Sequence, residues 1–278
     1  MRLEEHGTDF LEFYRELVVS AADPRLRHDA LVAGRRFCQR MISRLERRER
    51  LLEPMDVVDG ATVVSIAAEL GLAPRARALR ALTVTSLEKL RGAAMGPVTV
   101  GRAARSADDL CENLISYHFA CRSGLVDPAP LLWSLELASV YEYQDPRELS
   151  VDQLVDQDNL LTHVVYVMSD YGRLRLPSER FKVERAALLK LLERARLEVD
   201  FEGVAEALDA LLIVGVPDDA PELARGRSWL LSEQQDDGSW SLRGFDFYDR
   251  YHSTWTALNG LRRFRFRGRG LAWPRWRP

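Results

Sequence analysis

The sequence predicts an all-α protein, and three observations carry that prediction. Leucine and alanine recur at three- and four-residue spacing through most of the 278 residues. Apolar residues three and four apart fall on one face of a helix. β-Branched alternation over five or more residues, the signature of a half-buried strand, is almost absent. Proline and glycine fall between the periodic segments, at Asp23-Pro24, Glu53-Pro54, Gly96-Pro97, Asp127-Pro128, Asp145-Pro146, Gly172 and Val216-Pro217, where they end helices at least cost.

Taken in order, the pattern places helices at 8–21, 25–52, 61–72, 74–93, 107–123, 129–143, 159–171, 180–197, 201–214, 219–234 and 249–265. Ser106-Ala107-Asp108-Asp109 reads as an N-cap followed by acidic residues in the first turn, and Asp156-Gln157-Asp158-Asn159 as a solvated helix start. Helices joined by short turns pack as hairpins, in a solenoid, a bundle or a closed α/α ring. Strict repeats are not visible, which weighs against the solenoid. No Pro-, Gly- or Ser-rich linker divides the chain, so it reads as one domain over 1–278. Within it an N-terminal helical subdomain 1–95, a central body 96–265 and a basic tail 266–278 can be marked off, with the glycine-bearing stretch Arg91 to Arg105 as the joint.

Composition narrows the function classes. Hydrophobic residues make up 46% and charged residues 29% of the chain, and no apolar run approaches the ~20 residues of a membrane span. Met1-Arg2-Leu3-Glu4-Glu5-His6 lacks the basic start and apolar stretch of a signal peptide, so a soluble, cytoplasmic protein is expected. Cys38, Cys111 and Cys121 show no CxxC spacing and suggest neither a disulfide framework nor a cysteine-only zinc site. Thirty-nine basic and forty-two acidic residues nearly cancel, which excludes a surface built as a whole to grip nucleic acid. Locally, Arg262, Arg263, Arg265, Arg267, Arg269, Arg275 and Arg277 alternate with Phe264, Phe266, Trp273 and Trp276. This is either a solvated tail anchored by its aromatic rings or a docking patch for an anionic or carrier-protein partner.

From Arg225 the chain reads Arg-Gly-Arg-Ser-Trp-Leu-Leu-Ser-Glu-Gln-Gln-Asp-Asp-Gly-Ser-Trp, ending at Trp240. This segment resembles the QW motif of terpene cyclases, and the chain is thereby similar to the α/α toroid proteins that include protein prenyltransferases. The resemblance implies a full or partial toroid of helical hairpins in which Gln234 caps a helix end and Trp240 stacks on it, a structural role. It also implies that the helix opening at Asp249-Arg250-Tyr251-His252 faces a cavity. Prenyltransferase subunits carry a similar segment whose histidine binds zinc, so a zinc set would fall on Asp109, Cys111 and His252. The Asp-x-Asp-Asp acid and the Asp-Asp-x-x-Asp metal motif of terpene cyclases are both missing.

A second segment, Leu161 to Gly172, carries His163, Tyr166 and Asp170 at i, i+3 and i+7 on one face of an otherwise apolar helix. They are either satisfied core residues or an acid–base group, with His163 as general acid or base, Tyr166 as donor and Asp170 orienting or charging a neighbour. The catalytic candidates are therefore His163, Asp170, His252 and Tyr166, lining one cavity. Tyr251 and Trp255 are substrate-binding candidates because the resemblance implies that their helix start faces the cavity, and His118, Trp133 and Tyr141 because each interrupts an apolar face. No phosphate loop, nucleophile elbow or HExxH is present, and neither a metal nor a cofactor is expected. The leading expectation is an enzyme of secondary metabolism, a cyclase or isomerase that holds a polyketide- or isoprenoid-like metabolite in a toroid cavity. The alternatives are a non-catalytic scaffold for a hydrophobic metabolite or a protein, and a zinc-dependent prenyltransferase-like subunit.

Overall fold

The computed structural model describes residues 7–48, 54–92, 106–242, 244 and 246–273. Among them are eleven α-helices and no sheet, only two isolated backbone bridges. None of these helices is long and apolar enough to cross a membrane. The described residues fall into two compact units, the first of 7–19 and 23–141 and the second of 142–273 with 20–22, the end of the first helix and the residues after it. The boundary expected near residue 95 is thus displaced, because the helices after it pack with those before it.

The first unit holds α1 (Gly7–Ser20), α2 (Pro24–Glu46), α3 (Pro54–Glu69), α4 (Arg77–Gly92), α5 (Ala107–Arg122) and α6 (Ala129–Ala138). Asp23 starts α2 by accepting from the Arg25 and Leu26 amides at 2.7 and 3.4 Å, with Pro24 in the first turn, where its missing N–H costs nothing. Ala30, Gly34, Phe37, Cys38, Met41, Ile42 and Leu45 form the buried stripe of that helix. α3 is the hub of this unit, packing on α2, α4 and α5, while α6 packs on α5. A capping box between Ser106 and Asp109 opens α5, as the sequence suggested. The stretch joining α4 to α5, over 93–105, lies outside the described residues.

The second unit holds α7 (Val151–Ser169), α8 (Lys182–Glu198), α9 (Phe201–Ile213), α10 (Pro221–Ser232) and α11 (Phe247–Leu261). α9 packs against all four others and is buried at Phe201 and from Val204 to Ile213, so a helix fills the centre of this unit. A helix that is apolar around most of its circumference belongs in such a place. Gly260 sets the approach of α11, since a Cβ there would lie 2.6 Å from the Ala205 carbonyl oxygen. Any side chain would push α11 off α9.

Several helix boundaries differ from the sequence reading: α2 ends at Glu46 rather than 52, α3 begins at Pro54 rather than 61, α6 ends at Ala138 rather than 143, and two further differences have identifiable reasons. α7 begins eight residues earlier than expected, at a capping box between Ser150 and Gln153. Asp156 to Asn159 therefore lies inside the helix: Asp158 pairs with Arg194 of α8, and the Gln157 amide bonds both backbone groups of Gln144, at 2.7 and 3.2 Å. At the other end, α11 stops at Leu261 rather than 265 because the following residues take up backbone pairing elsewhere. The Arg265 amide donates to the Ser20 carbonyl at 2.6 Å, Arg267 to Arg173 at 2.7 Å, and Ala272 to Met168 at 2.8 Å. Through residue 273 the basic segment is thus pinned strand-like to the unit, with Phe264 and Phe266 stacked 4.9 Å apart and Arg263, Arg265, Arg267 and Arg269 outward. Arg275, Trp276 and Arg277 lie outside the described residues.

Candidate functional site

At the N-terminal end of α9, three helices bring ionisable groups together. Asp200 caps α9 by accepting from the Gly203 amide at 3.0 Å, and the first two turns then carry Glu202 and Glu206 on one face. α7 supplies Thr162 and His163, and α11 supplies His252. His252 Nδ1 lies 3.0 Å from Glu202 Oε2, and the Thr162 hydroxyl lies 2.7 Å from Glu206 Oε2. The Tyr166 hydroxyl donates to the Glu206 carbonyl at 3.3 Å, and its ring meets His163 edge-on at 5.5 Å.

The electrostatics separate these groups. Burial pushes the Glu206 carboxyl up to about 8, and the negative charge of Glu202 one turn away adds to the effect, so Glu206 is protonated at neutral pH. Burial would also raise Glu202, but the hydrogen bond and charge of His252 carry it below the usual carboxylate range. Glu202 remains ionised, with 37% of its side chain exposed. Burial drives His163 down to about 4, against the opposing hydrogen bond to Asn159, and the nearby His252 lowers it further. His163 is therefore neutral. Its Nδ1 sits 2.8 Å from the Asn159 carbonyl, which can only accept, so Nδ1 carries the proton and the Nε2 lone pair is left as the basic site.

Aromatic rings surround His252. Tyr248 stacks on it at 5.2 Å, Trp255 meets it edge-on at 5.2 Å, and Tyr251 at 6.2 Å. The same face of α11 leaves Phe247 and Tyr248 exposed. Tyr251 and Trp255, expected to bind substrate, thus adjoin the ionisable cluster.

The remaining candidates are placed elsewhere. Asp170 is the C-cap of α7, in the left-handed region at φ 56°, and its buried carboxylate pairs with Arg173 at 3.4 Å. Seven residues of helix put it about 10 Å beyond His163 along the axis, so it does not orient that imidazole. His118, Trp133 and Tyr141 belong to the first unit, where His118 is fully buried and edge-on to Phe119 at 4.7 Å. Of the zinc set, Asp109 and Cys111 belong to the first unit and His252 to the second; Asp109 closes the Ser106 cap and His252 pairs with Glu202. Among the described residues no three His, Cys, Asp or Glu side chains converge as metal ligands.

The Gln234 expectation also needs correction. Its exposed amide donates to the Gly238 carbonyl at 3.0 Å, within its own turn, and reaches no neighbouring helix. The capping falls to Trp240, 2% exposed, whose indole N–H donates to the Leu230 carbonyl at the end of α10 at 2.7 Å.

The sequence reading passed over Glu202, Glu206 and Thr162. The signal was present: in Phe201 to Val216 the charged residues Glu202, Glu206 and Asp209 stand at i, i+4 and i+7 in a helix otherwise apolar. Asp209 reaches the buried Arg262 at 3.4 Å and forms a structural pair, whereas Glu202 and Glu206 face the histidines. No family model, no curated protein and no solved structure matches the chain.

Proposed function

We propose that the second unit is a metal-free acid–base catalyst, a cyclase or isomerase acting on an apolar polyketide-like or isoprenoid-like metabolite. One observation carries the reading: at the start of α9 the His252–Glu202 pair, 3.0 Å apart, and the Thr162–Glu206 hydrogen bond, 2.7 Å, come together with His163 of α7, in surroundings that hold one carboxyl protonated and one imidazole neutral. Titratable groups whose environments push their pKa values apart are what acid–base catalysis at neutral pH requires. In this scheme His163 Nε2 takes a proton from a carbon next to a carbonyl, and His252, held by Glu202, donates to the developing enolate oxygen. His163 then returns the proton at a different carbon. Glu206 stays neutral and adds no second negative charge beside the enolate. The rings of Tyr248, Tyr251 and Trp255 supply apolar surface for the substrate's body.

A probe reaction tests this. An apolar β,γ-unsaturated ketone gains ultraviolet absorbance when it becomes conjugated, and the protein is expected to accelerate that conversion. His163→Ala is expected to lower the rate at least ~100-fold, the usual contribution of a positioned acid or base, with unfolding unchanged. The exposed Phe247 and Tyr248 favour a second reading, a non-catalytic scaffold for a hydrophobic metabolite or protein. Saturable ketone binding with no conversion would establish that reading instead. The outward arginines 263, 265 and 267 suit an anionic partner in either case.

A further inference from the structure

The first unit contains a cavity of about 240 Å³ between α3, α4 and the end of α5. Its walls are Val64, Ala68, Ala73 and Ala76, with Ser65 and Ser123 between them. It is open to solvent on one side, at Ala68, Ala73 and Arg80, and three charged side chains stand in its lining: Glu69, Arg80 and Arg122. They are fixed in place. Glu69 Oε1 receives Arg122 Nη2 at 2.8 Å, and Arg80 Nη1 donates to the Ser123 carbonyl at 3.0 Å. From behind, the fully buried Arg15 grips both oxygens of the same Glu69 carboxylate, at 3.1 and 3.3 Å, and lies over the Phe119 ring. The lining thus sets two guanidiniums against one carboxylate, and a third guanidinium draws that carboxylate's charge away from the cavity.

We infer that this cavity binds a small organic anion, a carboxylate or phosphate monoester on a compact apolar body. An anionic oxygen group is what Arg80 and Arg122 in an otherwise apolar lining suit, because guanidinium pairs with such groups through directed, charge-assisted hydrogen bonds. The four apolar walls answer the rest of the ligand, and the methyl side chains of Ala68, Ala73 and Ala76 are what leave the room. The volume, about 240 Å³, suits a single ring bearing one acid group. The site is independent of the acid–base cluster in the second unit.

The test titrates the full chain, 15N-labelled, with benzoate, phenyl phosphate and the neutral benzyl alcohol. Saturable shifts are expected at residues 64–80 and 122–123 with at least one anion, and which anion binds tighter assigns the acid group. Arg80→Gln, an exposed position, is expected to weaken binding about tenfold or more. Ala73→Phe, also at an exposed position, should fill the cavity and abolish binding. No saturation by either anion up to about 10 mM overturns the inference. So does equal binding of benzyl alcohol, or anion binding that both substitutions leave unchanged.

Discussion

The Thr162 hydroxyl lies 2.7 Å from Glu206 Oε2 and 3.2 Å from the Asn159 carbonyl oxygen, yet it has one proton to give. The carbonyl can only accept. The Asn159 carbonyl already accepts from the His163 Nδ1–H, so the Thr162 hydroxyl can donate to Glu206, a bond that opposes the rise that burial imposes on this carboxyl. Burial and the charge of Glu202 outweigh that bond, and Glu206 keeps its proton.

Stability should accordingly fall as the pH rises from 6.5 to 8. The folded carboxyl holds its proton to about pH 8, whereas the unfolded one releases it near 4.5, so between those values the native state binds more protons and rising pH favours unfolding. His163 acts oppositely: its folded value of about 4 lies below the ordinary 6.5, so between them the unfolded state binds more protons and stability rises with pH. The two effects oppose one another from about 4.5 to 6.5, where Asp59 and Asp158, raised to about 6 by burial, act in the same sense as Glu206; above that Glu206 acts together with the buried Glu12, its own share being at most ~1.4 kcal/mol per pH unit. Urea unfolding followed by tryptophan fluorescence suits the measurement, because five of the six tryptophans lie beyond residue 142. Glu206→Gln should flatten the loss between pH 6.5 and 8, and an unaltered slope would mean that Glu206 is ionised in the native protein.

Trp240 and Gln234 should part company. Trp240→Ala removes a packed indole and its bond to the end of α10, and is expected to cost about 3–5 kcal/mol. Gln234→Ala removes one exposed local bond and should cost no more than about 0.5 kcal/mol. Denaturant midpoints of the two variants check this, and equal losses would restore Gln234 to the capping role that the QW motif implies.

The buried Asp209–Arg262 pair offers a third test. Asp209→Ala leaves the Arg262 side chain, 2% exposed, without its carboxylate and should cost about 3–5 kcal/mol. Replacing both residues by apolar ones should recover most of that loss. Additive losses in the double-mutant cycle would show that the two side chains do not interact.

Much of the fold was legible because helical periodicity is local. The cap at Ser106, the proline start of α2 and the all-α class follow from residues within a few positions of one another. The early start of α7 was not, since Asp156 to Asn159 looks like a solvated turn until Arg194 and Gln144 supply partners from distant sequence. Of the site, His163, Tyr166 and His252 stood out as polar groups on apolar faces. Asp170 stood out equally and proved to be a helix cap. Spacing assigns a face, but not which neighbour that face meets. Glu202 and Glu206 escaped notice because acidic residues in a helix normally face solvent, and only the packing of α7 and α11 on α9 makes them site residues.

The most direct test of the acid–base site is the 15N resonance pair of the His163 ring at pH 6. A neutral imidazole, protonated at Nδ1 and bare at Nε2, is the expected result, with the transition to the imidazolium falling near pH 4. An imidazolium at pH 6, or a proton on Nε2 in the neutral ring, would leave His163 without a basic lone pair and contradict the proposed role.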